Sequence, residues 1–194
     1  MSICVIRSRA ALGWRGARSG IVGWWGRDVA GLGWVGPVWK GRGRTMAIYV
    51  DADACPVKDE IYRVARRHEV QVFVVANALL RVPVEERITM VVVRGRFDAA
   101  DDWIAERAGR GDVTITTDIP LAERCLRSGA RVLAPTGKLF NEETIGEALA
   151  TRALLDMLRQ SGTHAGGPAP FARPDRSRFL AKLDEVLHAV RRDR

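Results

Sequence analysis

The sequence predicts an α/β fold of three layers, with helices on both faces of a mostly parallel sheet. Three observations carry that reading. From Met46 onward, short β-like runs alternate with helical ones, the pattern of strand–helix–strand crossovers. Val70–Ala76 is a continuous apolar run (VQVFVVA), as expected of a strand covered on both faces. The opening strand ends in two carboxylates, in Ile48-Tyr49-Val50-Asp51-Ala52-Asp53-Ala54-Cys55-Pro56, and open α/β sheets bind their ligands at the carboxyl ends of strands.

Ala47–Val50 is the first expected strand. Pro56 to His68 reads as a helix, with Pro at its first position and Val57, Ile61, Val64 and Ala65 at helical spacing. Val70–Ala76 follows as a strand, Asn77 to Glu86 as a loop, and Ile88–Val93 as a third strand. Asp98 to Ala108 is a helix capped by Asp98, with Asp101 and Asp102 in its first turn. Val113–Thr117 is a fourth strand. Ile119 to Ser128 is a helix, with Gly129 just past its end. Arg131–Ala134 is a short fifth strand. Two C-terminal helices complete the chain. One runs from Glu142 to Arg159, and the other starts at Asp175 or Ser177 after the Gly/Pro-rich stretch 162–174.

The chain has 194 residues and a formal charge of +8, unevenly spread. Residues 1–45 hold eight basic residues and one acid, so that segment is +7 and the remainder only +1. The high overall charge therefore gives no argument that the domain binds nucleic acid. The same segment holds ten of the 19 glycines and five of the six tryptophans, and it shows neither a helical nor a strand period. It contains no signal-peptide apolar region and nothing able to span a membrane. We expect a disordered extension over residues 1–45, or a start of translation at Met46, and a single domain over 46–194. A basic aromatic arm touching nucleic acid is the functional alternative for the extension. Three cysteines, none in a zinc-like spacing, predict a reducing cytoplasmic setting.

Acidic positions recur at strand ends. Asp51 and Asp53 follow the first strand, Asp98 with Asp101 or Asp102 the third, and Asp118 the fourth. A parallel sheet brings these to one edge. Like charges gathered there repel unless neutralised, and a hard cation such as Mg²⁺ or Mn²⁺ would neutralise them. Such an ion activates water and stabilises charge on a phosphodiester. Each position also has a structural reading. Asp98 reads as a helix cap. Asp53 is balanced between a ligand and an Asx-turn cap. Asp118 is an N-cap candidate whose convergence with Asp51 favours function. Only one of Asp101 and Asp102 can face the edge, because one residue turns a helix by about 100°. Cys55 reads as buried and inert. The scattered His68, His164 and His188 read as surface residues. Lys58, Arg81, Lys138 and Arg152 are candidates for a phosphate pocket. Pro135-Thr136-Gly137-Lys138 is not a P-loop, since it lacks the glycine-rich half.

Asp51-Ala52-Asp53-Ala54-Cys55-Pro56-Val57-Lys58 resembles the opening of the YaiI/YqxD family of bacterial proteins. So do, in order, Val75-Ala76-Asn77, Phe97 through Ile104 (FDAADDWI), Thr116 through Ala122 (TTDIPLA), Gly166-Gly167-Pro168 with Phe171, and Asp175-Arg176 with Phe179. The resemblance spans about residues 46–188. That family is in turn similar to PIN-like nuclease domains, whose acids bind divalent metal and hydrolyse RNA. The likeness implies a PIN-like arrangement, with Asp51, Asp53 and Asp118 as metal ligands and Asp101 or Asp102 completing the catalytic cluster. RNA is then the implied partner and no membrane is involved. The run Asp53-Ala54-Cys55-Pro56 belongs to the family and not to PIN domains. Two other functions fit the same residues. A phosphatase of the haloacid dehalogenase type would use Asp51-x-Asp53 as nucleophile and acid, although Lys138 with Glu142-Glu143 is a poor setting for its remaining motif. A non-catalytic metal- or RNA-binding module would keep the acids without turnover.

Overall fold

A computed structural model describes residues 2–6, 45–53, 55–95, 98–160 and 171–193. Seven strands form one sheet, in the order β1-β4-β3-β2-β5-β6-β7. They are β1 (Ser2–Ile6), β2 (Ala47–Asp51), β3 (Gln71–Ala76), β4 (Ile88–Arg94), β5 (Val113–Ile115), β6 (Arg131–Leu133) and β7 (Leu139–Phe140). The five central strands are parallel, and the two outer ones run antiparallel to their neighbours. The helices are α1 (Lys58–His68), α2 (Ala99–Ala105), α3 (Ile119–Arg127), α4 (Glu142–Gln160) and α5 (Arg173–Arg192). The α/β architecture expected from the sequence is therefore present.

The period of two along each strand divides the core. Ile48 and Val50 of β2, Val72 and Val74 of β3, and Met90 and Val92 of β4 pack with α1 and α5. Ala47 and Tyr49 of β2 and Val91 and Val93 of β4 pack with α2, α3 and the start of α4. The two C-terminal helices thus join opposite layers. Phe179, Leu183, Val186, Leu187 and Val190 seat α5 beside Ile61, Val64 and Ala65 of α1. On the other face Tyr49, Phe73 and Trp103 form an aromatic group, with ring centroids 5.3 to 6.1 Å apart, that fixes the short α2 against the sheet.

The winding reverses at β2. From β2 the chain steps through β3 to β4 on one side, then crosses back to lay β5 and β6 on the other. The crevice between the ends of β2 and β5 is the topological switch point of the sheet.

Several details depart from the sequence reading. Ser2–Ile6 pairs as a strand with β4, Ser2 opposite Arg94 and Ile6 opposite Met90, although no strand period shows in the first 45 residues. An unbroken five-residue run is too short to declare one, and here the partner defines it by covering what would be an open edge. The rest of the expected extension, residues 7–44, lies outside the described residues, as does most of the 162–174 connection. Helix α1 starts at Lys58, two residues after Pro56, which lies in a turn. Helix α5 starts at Arg173, where the Ala172 amide donates to the Asp175 carboxylate at 2.9 Å. Pro135–Lys138 is the turn of a β6–β7 hairpin, with Gly137 at φ +85° and a Cβ there only 3.1 Å from the Arg178 backbone. Neither the left-handed backbone nor the approach of α5 suits a side chain. No helix among the described residues is long and apolar enough to cross a membrane.

Phe179 is wholly buried at the junction of α5 with the sheet. Phe179→Ala should lower the free energy of unfolding by about 3–5 kcal/mol, read as a fall in the urea midpoint. A loss below about 1 kcal/mol would show that α5 is not part of the core.

Candidate acidic site at the sheet edge

Asp51 closes β2 and shares the face of Tyr49, the face covered by α2 and α3. Its Oδ2 accepts a hydrogen bond from the Thr116 hydroxyl at 2.7 Å. Thr116, just past β5 and buried, uses the same oxygen to accept from the Asp118 amide at 2.9 Å. That bond sets the turn into α3. Asp118 then caps the helix, its Oδ1 accepting from Leu121 N at 2.9 Å, while its Oδ2 accepts from the Arg152 guanidinium of α4 at 3.2 Å. The ends of β2 and β5 are thus tied directly across the switch point.

From α2, Asp101 joins this edge and Asp102 turns elsewhere. Burial raises the Asp101 carboxyl to about 6, with further upward pushes from Asp51, Asp118 and Asp98 against a downward pull from Arg124. Asp102 pairs with Arg124 of α3 at 2.9 Å. The helical turn thus brings the first of the two acids to the edge and spends the second on a bridge between α2 and α3. The Asp51 carboxyl is also raised, first by burial, opposed by the Thr116 hydrogen bond, and then by repulsion from Asp53 and Asp118.

Asp53 is not a cap of α1. The residue at that cap is Val57, which makes no side-chain bond, and Asp53 Oδ2 instead accepts from Asn77 N at 3.2 Å and Asn77 Nδ2 at 2.9 Å. It lies in a turn beyond β2, so strand alternation with Asp51 does not apply, and it serves to tie the β2–α1 turn to the loop after β3. Asp98 holds the N-cap position of α2, but its side chain makes no cap bond. Cys55 is buried as expected, and burial pushes its thiol up to about 11, which leaves it inert. Of the candidate phosphate-binding cations, Arg152 reaches the edge. Lys58 donates to the Ala52 carbonyl at 3.1 Å and Lys138 stacks over Phe140. Sequence reasoning passed over Thr116 and Asn77. The cue for Thr116 is a hydroxyl at the end of a strand whose neighbour ends in an acid.

Carboxylates with a hydroxyl beside them form an all-oxygen donor set, which suits Mg²⁺ or Mn²⁺ and not a softer metal. The carboxyl groups at the edge raise one another's affinity for protons, so a divalent cation would relieve a repulsion already present. The edge acids do not offer three donor atoms within 4.8 Å of one another. Mg²⁺ keeps several of its waters and needs only one or two direct carboxylates, so a hydrated ion does not require three donors that close.

The family model described as "Uncharacterized BCR, YaiI/YqxD family" matches residues 49–189. The chain belongs to the YaiI/YqxD family. It is 58% identical over 151 residues to a UPF0178 protein of Rhodospirillum centenum, covering 76% of this chain and 98% of that one. It is 57% identical over 147 residues to a UPF0178 protein of Bradyrhizobium diazoefficiens, covering 76% and 88%. A UPF0178 protein of Brucella suis is 55% identical over 149 residues, covering 76% and 92%. No solved structure matches the chain. Every acid at the edge lies inside the YaiI/YqxD match.

The raised Asp101 pKa has a consequence for stability. Its folded value lies above the usual carboxylate range, so ionising it opposes folding, and the penalty grows as pH rises through about 6. In chelator-treated buffer, Asp101→Asn should unfold at a higher urea concentration than the parent at about pH 8, and the gain should vanish by about pH 4. An equal gain at both pH values would mean that the carboxyl is not perturbed.

Proposed function

We propose that this YaiI/YqxD protein is a divalent-metal-dependent ribonuclease acting through the acids at the switch point. The observation that carries the reading is the convergence of Asp51, Asp101 and Asp118 from three separate elements on one crevice. Two of these carboxyl groups are pushed above their ordinary range there. Structural caps explain Asp118 alone. Asp51 ends a buried strand, where no cap is needed, and Asp101 has neighbouring acids as its main electrostatic company.

In this reading Asp51 and Asp118 hold Mg²⁺ or Mn²⁺, with Asp53 close enough to add to the field on Asp51. The bound ion supplies an acidified water and charge stabilisation at the phosphodiester. Thr116 positions Asp51 by donating to Oδ2. Asp101, held at the edge with Asp51 and Asp118 for neighbours, is placed to orient the attacking water or, as a carboxylate, to accept its proton. Arg152 stands next to Asp118 and offers a guanidinium to a phosphate oxygen. Asp102 supports α2 through Arg124 and takes no direct part.

Purified protein with Mn²⁺ or Mg²⁺ should cleave single-stranded or structured RNA, and Asp51→Asn should lower the rate by at least about a hundredfold while the far-ultraviolet circular dichroism stays unchanged. Chelation should abolish cleavage reversibly. RNA left intact by the parent across both metals and varied substrates, or cleaved equally by the variant, would remove the proposal.

A further inference from the structure

A second group of metal-type donors lies far from the acidic edge. Helix α1 begins beside the edge and runs back about 16 Å to the opposite end of the sheet, where His68 is its last residue. The sequence reading of His68 as a surface residue is incorrect, because it is 3% exposed and packed against α5. Its Nε2 stands 2.8 Å from Asp184 Oδ1, and one turn further along α5 His188 Nε2 stands 3.5 Å from Asp184 Oδ2. The two rings meet edge to face at 4.8 Å. His68 Nδ1 is buried without a partner, so the directed polar contact of this ring is the one that Nε2 makes into the cluster. His164 lies outside the described residues.

We infer that His68, Asp184 and His188 form a binding site for a transition-metal dication of the Zn²⁺ type, clamping α1 to α5. The three donors lie within 4.8 Å of one another, the only such set among the described residues. With metal–ligand bonds of about 2.0–2.1 Å, tetrahedral ligands stand roughly 3.3 Å apart. The Asp184 carboxylate faces both rings, with Oδ1 2.8 Å from His68 Nε2 and Oδ2 3.5 Å from His188 Nε2. The remaining closure falls to His188, whose side chain is 59% exposed and free to move. Its exposure leaves the fourth position to water. Two imidazoles and one carboxylate select Zn²⁺, Co²⁺, Ni²⁺ or Cu²⁺ over Mg²⁺, so the site is chemically distinct from the acidic edge.

The charges around the group permit this. The Asp184 carboxylate stands between the two imidazoles and supplies the anionic ligand. Arg67 donates to the same Oδ1 at 3.1 Å, but its side chain is 62% exposed and can swing into water. Arg191 donates to the His68 backbone carbonyl and leaves the ring alone. Metal at His68 Nε2 moves the ring proton to Nδ1, which no described group accepts. That cost limits the expected dissociation constant to the order of micromolar.

The test uses tag-free full-length protein stripped with chelator and titrated with Zn²⁺ by calorimetry at about pH 7.5. We expect one Zn²⁺ per chain and a raised melting temperature. Both should be weakened at least about tenfold in His188→Ala and in Asp184→Asn and be unchanged in Asp51→Asn. Co²⁺ should give the visible absorption of a four-coordinate site in the parent and lose it in His188→Ala. The exposed position of His188 makes that variant unlike a core deletion, and its metal-free melting curve serves as the control for folding. Absence of Zn²⁺ binding, binding unaffected by His188→Ala, or binding lost in Asp51→Asn would each overturn the inference. None of these outcomes depends on the nuclease reading.

Discussion

Strand β2 is hydrogen-bonded to β3 on one side and β5 on the other, and helices cover both of its faces. Its residues Ile48 and Val50 are inaccessible to water, and the chain must leave this enclosed position at Asp51. A carboxylate there is costly unless something pairs with it. The hydroxyl of Thr116 answers part of that demand, and because β5 is the adjacent strand, the answer comes from the chain on the far side of the winding reversal. The geometry of the edge therefore follows from where β2 sits. The same constraint operates at its other end, where the buried Asp112 carboxylate accepts from Ala47 N at 3.1 Å and Gly109 N at 3.1 Å. One carboxylate anchors the entry of the strand as another is exposed to repulsion at its exit.

Two helix layers pull on this sheet for different reasons. The α1/α5 layer is held by aliphatic burial, with α5 arriving from the far end of the sequence to cover the β2–β3–β4 half. The α2/α3/α4 layer has its own apolar cluster, and its short first helix is further fixed by Trp103 against Tyr49 and Phe73 and by the Asp102–Arg124 bridge. The acids sit in the second layer. The proposed site is thereby placed in the layer that holds α2, the shortest of the described helices.

The period of the apolar residues made the parallel sheet and most helices legible, since both depend on local pattern. Gly129 just past the end of α3 was readable for the same reason, as its chemistry is local. What the sequence left open depended on distant partners. Asp53 was balanced between a ligand and a cap of α1, and the cap reading is ended by Asn77, 24 residues away, which donates to its Oδ2. Which of Asp101 and Asp102 reaches the edge depends on where Arg124 lies. His68 resembled any charged helix end until α5, more than a hundred residues later, brought Asp184 to it. The strand Ser2–Ile6 was missed because edge pairing, and not alternation, defines it.

In the proposed reading, Asp118 carries a structural and a functional role on one side chain. Its two oxygens are divided, Oδ1 to the first turn of α3 and Oδ2 to Arg152. The cap bond contributes about 1 kcal/mol to the helix and is buried enough to persist. The Arg152 contact joins side chains that are 47% and 31% exposed, a class of ion pair that contributes about 0–1 kcal/mol. A cation arriving at Oδ2 therefore displaces little, and α3 keeps its cap while Arg152 is released toward whatever anion accompanies the cation. Oδ2, the oxygen that the proposed cation would take, is thus held by the weaker of the two contacts, and the fold does not have to open for that oxygen to change partners.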